Sequence, residues 1–162
     1  MTGIVAVVGE NRSHITSQSL LASITASADG RQAFVDAGPG SFGARCPPIT
    51  PSSLPRLYES DQYIGLIYGD PVSGEPLAWP AILDALFGGE QQRSALADLN
   101  GAFALIGCEI STGQVRAVTD SFGFQSLYLA SQSNQIIVST SLAPFLRFLN
   151  PAPEVDLHWI EE

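Results

Sequence analysis

Lysine is absent from this sequence: all seven basic residues are arginine. Schiff-base chemistry, a phosphate-loop lysine and a lysine general base are therefore excluded within the chain. Charge of any sign is scarce, at 14% of residues against an average near ~25%. What charge there is runs acidic, with a formal net value of -9, so a phosphate backbone is repelled and nucleic-acid binding is not expected. There are two cysteines and two histidines. Cys46 and Cys108 make no disulfide framework, and they do not stand at metal-ligand spacing with His14 or His158. Both are expected to be inert thiols, and no metal site is expected. No apolar stretch approaches the ~20 residues of a membrane span. The first nine residues lack a basic segment and a long apolar run, so they do not read as a secretory signal. A cytoplasmic setting is the expectation.

What is present is core material. The chain is 162 residues long and 45% hydrophobic, enough for one domain with a real interior. Ile4 to Val8 is an unbroken, β-branched run bounded by Gly3 and Gly9, which predicts a strand buried on both faces. A core strand this close to the amino terminus is unusual, because free termini fray. Residues 11–32 are largely polar, with one apolar patch at Leu20-Leu21, and read as a short helix or an irregular loop. Gln32 to Val35 has strand character. Residues 37–55 carry five prolines and three glycines and read as a long loop. Tyr63 to Tyr68 predicts a second buried strand. Trp79 to Phe87 has helical spacing, with Pro80 in the first turn, and Gln91 to Leu99 predicts another short helix. Ala102 to Ile110 and Val115 to Thr119 form a hairpin around Ser111-Thr112-Gly113. Ser126 to Ala130 and Gln135 to Ser139 form a second one, turned at Ser133-Asn134. Leu142 to Phe148 predicts a short helix. Residues 1–150 read as one domain, and 151–162 as a linker or the first turns of a helix belonging to a following domain.

Chemical motifs of the commoner kinds fail on context. Gly38-Pro39-Gly40-Ser41-Phe42-Gly43 fits G-x-G-x-x-G, but Cys46-Pro47-Pro48 forbids the helix that a dinucleotide site needs. A flexible loop is expected there. There is no G-x-S-x-G elbow, and neither histidine has the setting of a Ser-His-Asp set.

One ordered set of segments is informative. The chain opens Met1-Thr2-Gly3-Ile4. Later come Leu99-Asn100-Gly101-Ala102-Phe103-Ala104, then Asp120-Ser121-Phe122-Gly123 followed by Leu127-Tyr128, then Ser139-Thr140-Ser141. In order and spacing these resemble the amino-terminal glutaminase domain of the asparagine synthetase family, the class II glutamine amidotransferases. That family opens Met-Cys-Gly-Ile. It continues with Leu-x-Gly-x-Phe-Ala, Asp-x-x-Gly-x-x-x-Leu-Tyr and a Ser-Ser-Glu lead into a helix. The resemblance covers most of the chain. It implies an α+β fold of the N-terminal nucleophile hydrolase type, a four-layer αββα sandwich with two antiparallel sheets between helices. It also gives the buried first strand a purpose. Residue 2 becomes the terminus when Met1 is removed, its side chain attacks the glutamine amide, and its own amine is the base.

The departures from the family pattern bear on activity. Thr2 stands where the family has Cys, and a hydroxyl forms far less anion than a thiol at neutral pH. Where the family has Asn-Gly-Glu, this chain has Tyr68-Gly69-Asp70, so an oxyanion-stabilising amide is replaced by a phenol. Losing one such donor typically costs about 10²–10³ in rate. The substrate-gripping arginine of the family corresponds to Arg56 or Arg45, and the nearest remnant of its Gly-Ser-Asp segment is Ser73-Gly74-Glu75. The expected remnant site is thus Thr2 with Arg56, Gly69 and Asp70. Asp120, Gly123 and Tyr128 are expected to be structural.

The resemblance further implies a degenerate glutaminase-like domain of an ATP-dependent amide ligase, as in the β-lactam synthetases and lasso-peptide cyclases. Such a domain carries no cofactor itself. ATP and Mg²⁺ would belong to an adenylating synthetase domain, in cis or on another chain, and a peptide substrate is a candidate ligand. Two alternatives stand beside this reading: an active amidohydrolase using Thr2, and a free-standing binding module.

Overall fold

The computed structural model describes residues 3–9, 19–20, 22, 31–37, 40–46, 57–74, 78–89, 96–132 and 134–149. The first strand, β1 (Gly3–Gly9), is the middle strand of a five-stranded antiparallel sheet. Its sequence is apolar on both faces because each face meets a different layer. Ile4 and Ala6 point into the space between two sheets, whereas Val5 and Val7 point outward to Leu20, Ile137 and Phe145. β2 (Arg31–Ala37) and β3 (Gly40–Cys46) lie on one side of β1. β9 (Gln135–Ser139) and then β8 (Tyr128–Gln132) lie on the other, giving the order β2-β3-β1-β9-β8.

The second sheet has the order β4-β5-β6-β7, from β4 (Leu57–Glu59), β5 (Tyr63–Gly69), β6 (Phe103–Glu109) and β7 (Gln114–Thr119). Period-2 alternation sorts its side chains. Ile64, Leu66, Ile106 and Cys108 close the inter-sheet core against Ile4, Phe42 and Val138. Ile67, Phe103 and Leu105 face outward to the helix α1 (Trp79–Phe87). That helix buries Trp79, Ile82, Leu83 and Leu86, an i, i+3, i+4, i+7 stripe. Each such side chain contributes roughly 1.5–3 kcal/mol when fully buried. The sheet is shaped to receive them: Gly65 and Gly107 are cross-strand partners, and Trp79 and Leu86 seat directly on them. Arg116 of β7 donates to the Leu86 carbonyl at 2.7 Å, capping a helix whose own last turn has no basic residue. A short helix α2 (Phe145–Phe148) sends Phe145 onto the outer face of the first sheet. The architecture is thus α+β, two antiparallel sheets face to face with helical residues on the outer faces. No helix among the described residues is long and apolar enough to cross a membrane.

Several expectations need correction. The loop expected over 37–55 contains a strand, β3, and the G-x-G-x-x-G segment runs into it. Phe42 and Ala44 supply the inward face, and a side chain at Gly40 would overlap the Val7 carbonyl, so a glycine there serves close strand approach. β4 was not foreseen, being only three residues long. β8 starts two residues later than expected, because backbone amides as far as Gln125 are tied to Asp120. The helix expected from Leu142 begins only at Phe145, since the preceding residues turn through Ser141 hydroxyl and Leu142 carbonyl contacts. Of the helix expected over Gln91 to Leu99, the described part is a helical turn at Leu96. Residues 151–162 lie outside the described residues.

Candidate functional site

The start of β1 is held from the far end of the chain. The Ile4 N–H donates to Thr140 Oγ1 at 3.1 Å, and the Thr140 N–H returns a bond to the Ile4 carbonyl at 3.2 Å. Ser139, fully buried, donates its hydroxyl to the same carbonyl at 3.1 Å and accepts the Ser141 N–H at 3.1 Å. Two orphan backbone groups at a strand end are thereby satisfied by side chains. This clamp answers why a strand so near the terminus does not fray. The Ser139-Thr140-Ser141 segment showed only as a lead into a helix; its role as a clamp was missed. A hydroxyl-rich run directly after a buried strand is the signal that would have found it.

The second element is the end of β5. Gly69 has φ +87°, a left-handed conformation that a side chain disfavours, and a Cβ there would overlap the Ala102 carbonyl oxygen. The Asp70 N–H donates to that same carbonyl at 3.0 Å. Across the pair, a Cβ at Gly101 would overlap the Asp70 carbonyl. Two further bonds join Val72 and Asn100, at 2.7 and 2.8 Å. The Leu99-Asn100-Gly101-Ala102 segment is therefore the buttress on which Tyr68-Gly69-Asp70 turns. Asp70 is exposed, and Tyr68 packs against the inter-sheet core.

The expected site residues separate as follows. Gly69 and Asp70 are adjacent in this turn. Thr2 and Arg56 lie outside the described residues. Arg45, the other arginine considered, is buried at 7% exposure and stands opposite Gly3 in the β1–β3 register. Strand alternation puts it on the same face as Val5 and Val7, whereas Tyr68 joins the core on the opposite face. The structure does not bring Arg45 and Tyr68 to one side of the sheet. Among the described residues no cluster of three His, Cys, Asp or Glu side chains forms a metal-binding group.

Asp120 is a structural anchor. Its carboxylate accepts the backbone N–H groups of Phe122 (3.1 Å), Phe124 (3.0 Å) and Gln125 (2.9 Å). Burial pushes this carboxyl up, but the hydrogen bonds from Gln125, Phe124 and Phe122 outweigh it and hold its pKa below the ordinary value. Gly123 turns the loop at φ +67°. Cys108 sits in the inter-sheet core, and burial, then the neighbouring Glu109 carboxylate, pushes its thiol up to about 11. It is not a nucleophile at neutral pH.

Comparison with known proteins follows the same lines. A family model described as "Glutamine amidotransferase domain" matches residues 80–147, from α1 into α2. No curated protein matches the chain. Among solved structures, it is similar to glutamine phosphoribosylpyrophosphate amidotransferase from B. subtilis, complexed with ADP and GMP, with TM-score 0.57 and 14% identity. The similarity covers 88% of this chain and 42% of that one, so the chain spans less than half the length of that protein. The family match covers less than half of this chain, and the structural similarity shows a fold like that of the N-terminal nucleophile amidotransferase type.

Proposed function

We propose that this chain is a glutaminase-type domain whose hydrolytic site has decayed and which serves as a scaffold for an ATP-dependent amide ligase of the asparagine synthetase type. The observation that carries the reading is the turn at the end of β5. Its backbone frame is intact, with Gly69 left-handed and Asp70 tied to Ala102. The residue before it is Tyr68, packed on the inter-sheet core, where the family places an amide donor. Thr2 in the nucleophile position adds a second loss. A domain that keeps its frame while losing its donors fits a scaffold better than a hydrolase. On this reading amide formation would occur in an adenylating partner half, in cis or on another chain, where ATP and Mg²⁺ would bind. A peptide carrying both the carboxylate and the amine is the substrate class, and the setting is the cytoplasm.

One observation favours the second reading, an amidohydrolase using Thr2. The Ser139–Thr140 clamp still holds the start of β1, as delivery of an N-terminal nucleophile requires. Titration calorimetry with L-glutamine separates the two. The scaffold reading expects no saturable heat up to roughly 10 mM, where a 1 mM affinity would be plain. Saturable binding that is lost in Arg56→Ala would overturn it.

A further inference from the structure

Exposed apolar side chains are not scattered over this protein. Among the described residues, seven of the nine exposed large hydrophobics fall between Phe122 and Leu146. The same stretch, Ser121 to Leu146, contains no Asp, Glu, Arg or His, in a chain of net charge -9. The cause is architectural. A five-stranded sheet faces a four-stranded one, so β8 overhangs. Leu129 and Ile136 lie on the same face as the buried Val138, yet they are 70% and 43% exposed because no strand of the second sheet covers them.

The overhang ends in an unguarded strand edge. Sheet edges normally carry charge, proline or a bulge against unwanted pairing. Three of the four edges here do so: β2 contains Arg31 and Asp36, β4 ends in Glu59, and β7 contains Arg116. β8, Tyr-Leu-Ala-Ser-Gln, has neither charge nor proline.

We propose that β8 pairs antiparallel with β8 of a second copy of this chain, about a two-fold axis, joining two five-stranded sheets into one of ten strands. The charge distribution selects this occupant. Two copies of an acidic protein repel at most of their surface, and this face brings no like charges together. Strand pairing about a two-fold is self-complementary, and it sets the Leu129 and Ile136 overhangs of the two copies side by side on one face of the joined sheet. Because the contact is uncharged while the rest repels, added salt should tighten the dimer, the reverse of an ionic interface.

The test is sedimentation equilibrium of the 162-residue chain at roughly 10–100 µM, at low and high sodium chloride. The expected result is a dimer that tightens with salt and shows concentration-dependent protection in hydrogen exchange of the Leu129 and Ser131 amides, the two in β8 that do not point to β9. Leu129→Lys lowers the net negative charge yet should raise the dissociation constant at least about tenfold. Phe34→Lys, on the opposite edge of the same sheet, should leave it unchanged. A monomer throughout this range overturns the proposal. So does a dimer that salt loosens, or one that Leu129→Lys leaves intact.

Discussion

Replacing Gly69 by alanine tests how firmly the turn at the end of β5 is fixed. Two separate costs meet at this position. A non-glycine residue in the left-handed region costs roughly 1–2 kcal/mol. A Cβ would also overlap the Ala102 carbonyl and lie 2.9 Å from the Ala102 carbonyl carbon and the Phe103 Cα, all backbone atoms that cannot rotate away. Overpacking of this kind adds about 1–3 kcal/mol. The sum is roughly 2–5 kcal/mol, a large share of a domain's total stability. Three other glycines isolate the parts. Gly123 has φ +67° with nothing within 4 Å of a Cβ, so its alanine variant carries the backbone cost alone, about 1–2 kcal/mol. Gly65 has no left-handed backbone, but a Cβ there lies 2.5 Å from Trp79 Cζ3, so its variant carries the packing cost alone, about 1–3 kcal/mol. Gly74 has neither, and its variant should be neutral or gain about 0.4–1 kcal/mol. Urea unfolding at constant m-value is the assay, and the Gly69 loss should approach the sum of the Gly65 and Gly123 losses. A Gly69→Ala variant no less stable than Gly123→Ala would refute the reasoning.

Other parts of the structure make their own predictions. Ser139→Ala removes the buried hydroxyl bond to the Ile4 carbonyl and leaves the half-buried Ser141 N–H without its acceptor, and it should cost about 1–3 kcal/mol, a Tm fall of roughly 3–10 °C by calorimetry. An unchanged Tm would show that the clamp does not hold β1. Asp120 has a depressed pKa in the folded state, so its contribution is fully present above the unfolded carboxylate value near ~3.9 and is lost as pH falls through the folded value. Asp120→Asn should therefore be less stable than wild type at pH 7, with the gap closing below about pH 4; a gap independent of pH would count against the carboxylate's role. Cys108, its thiol pushed up to about 11, should resist alkylation in the native state and react on unfolding, as read by peptide mass spectrometry. Rapid labelling of Cys108 in the folded protein would contradict its burial.

The sequence was most legible where one physical rule acted alone. β1, β5, β6 and α1 announce themselves because their apolar periods match the layers they face. Both hairpins were visible from their turn residues, Gly113 and Asn134, each with positive φ. β3 was hidden because Gly40, which allows close approach to β1, and Gly43 look from sequence like loop residues. The helix before Phe145 was overextended because the sequence does not reveal that the Ser141 hydroxyl and the Leu142 carbonyl take the Ala143 and Phe145 amides into turns. Of the candidate site, Gly69 was singled out through its alignment with a known turn, and in the structure it has a left-handed backbone. The buried side chain of Arg45 was not legible, since burial of an arginine depends on which strand lies beside it.

The most direct measurement is glutamate release from L-glutamine by the purified chain, beside Thr2→Ala, with the amino terminus defined by mass spectrometry. The account predicts the same background rate from both proteins. Release by the wild type that Thr2→Ala abolishes would contradict it, and would make this domain a threonine-dependent amidohydrolase.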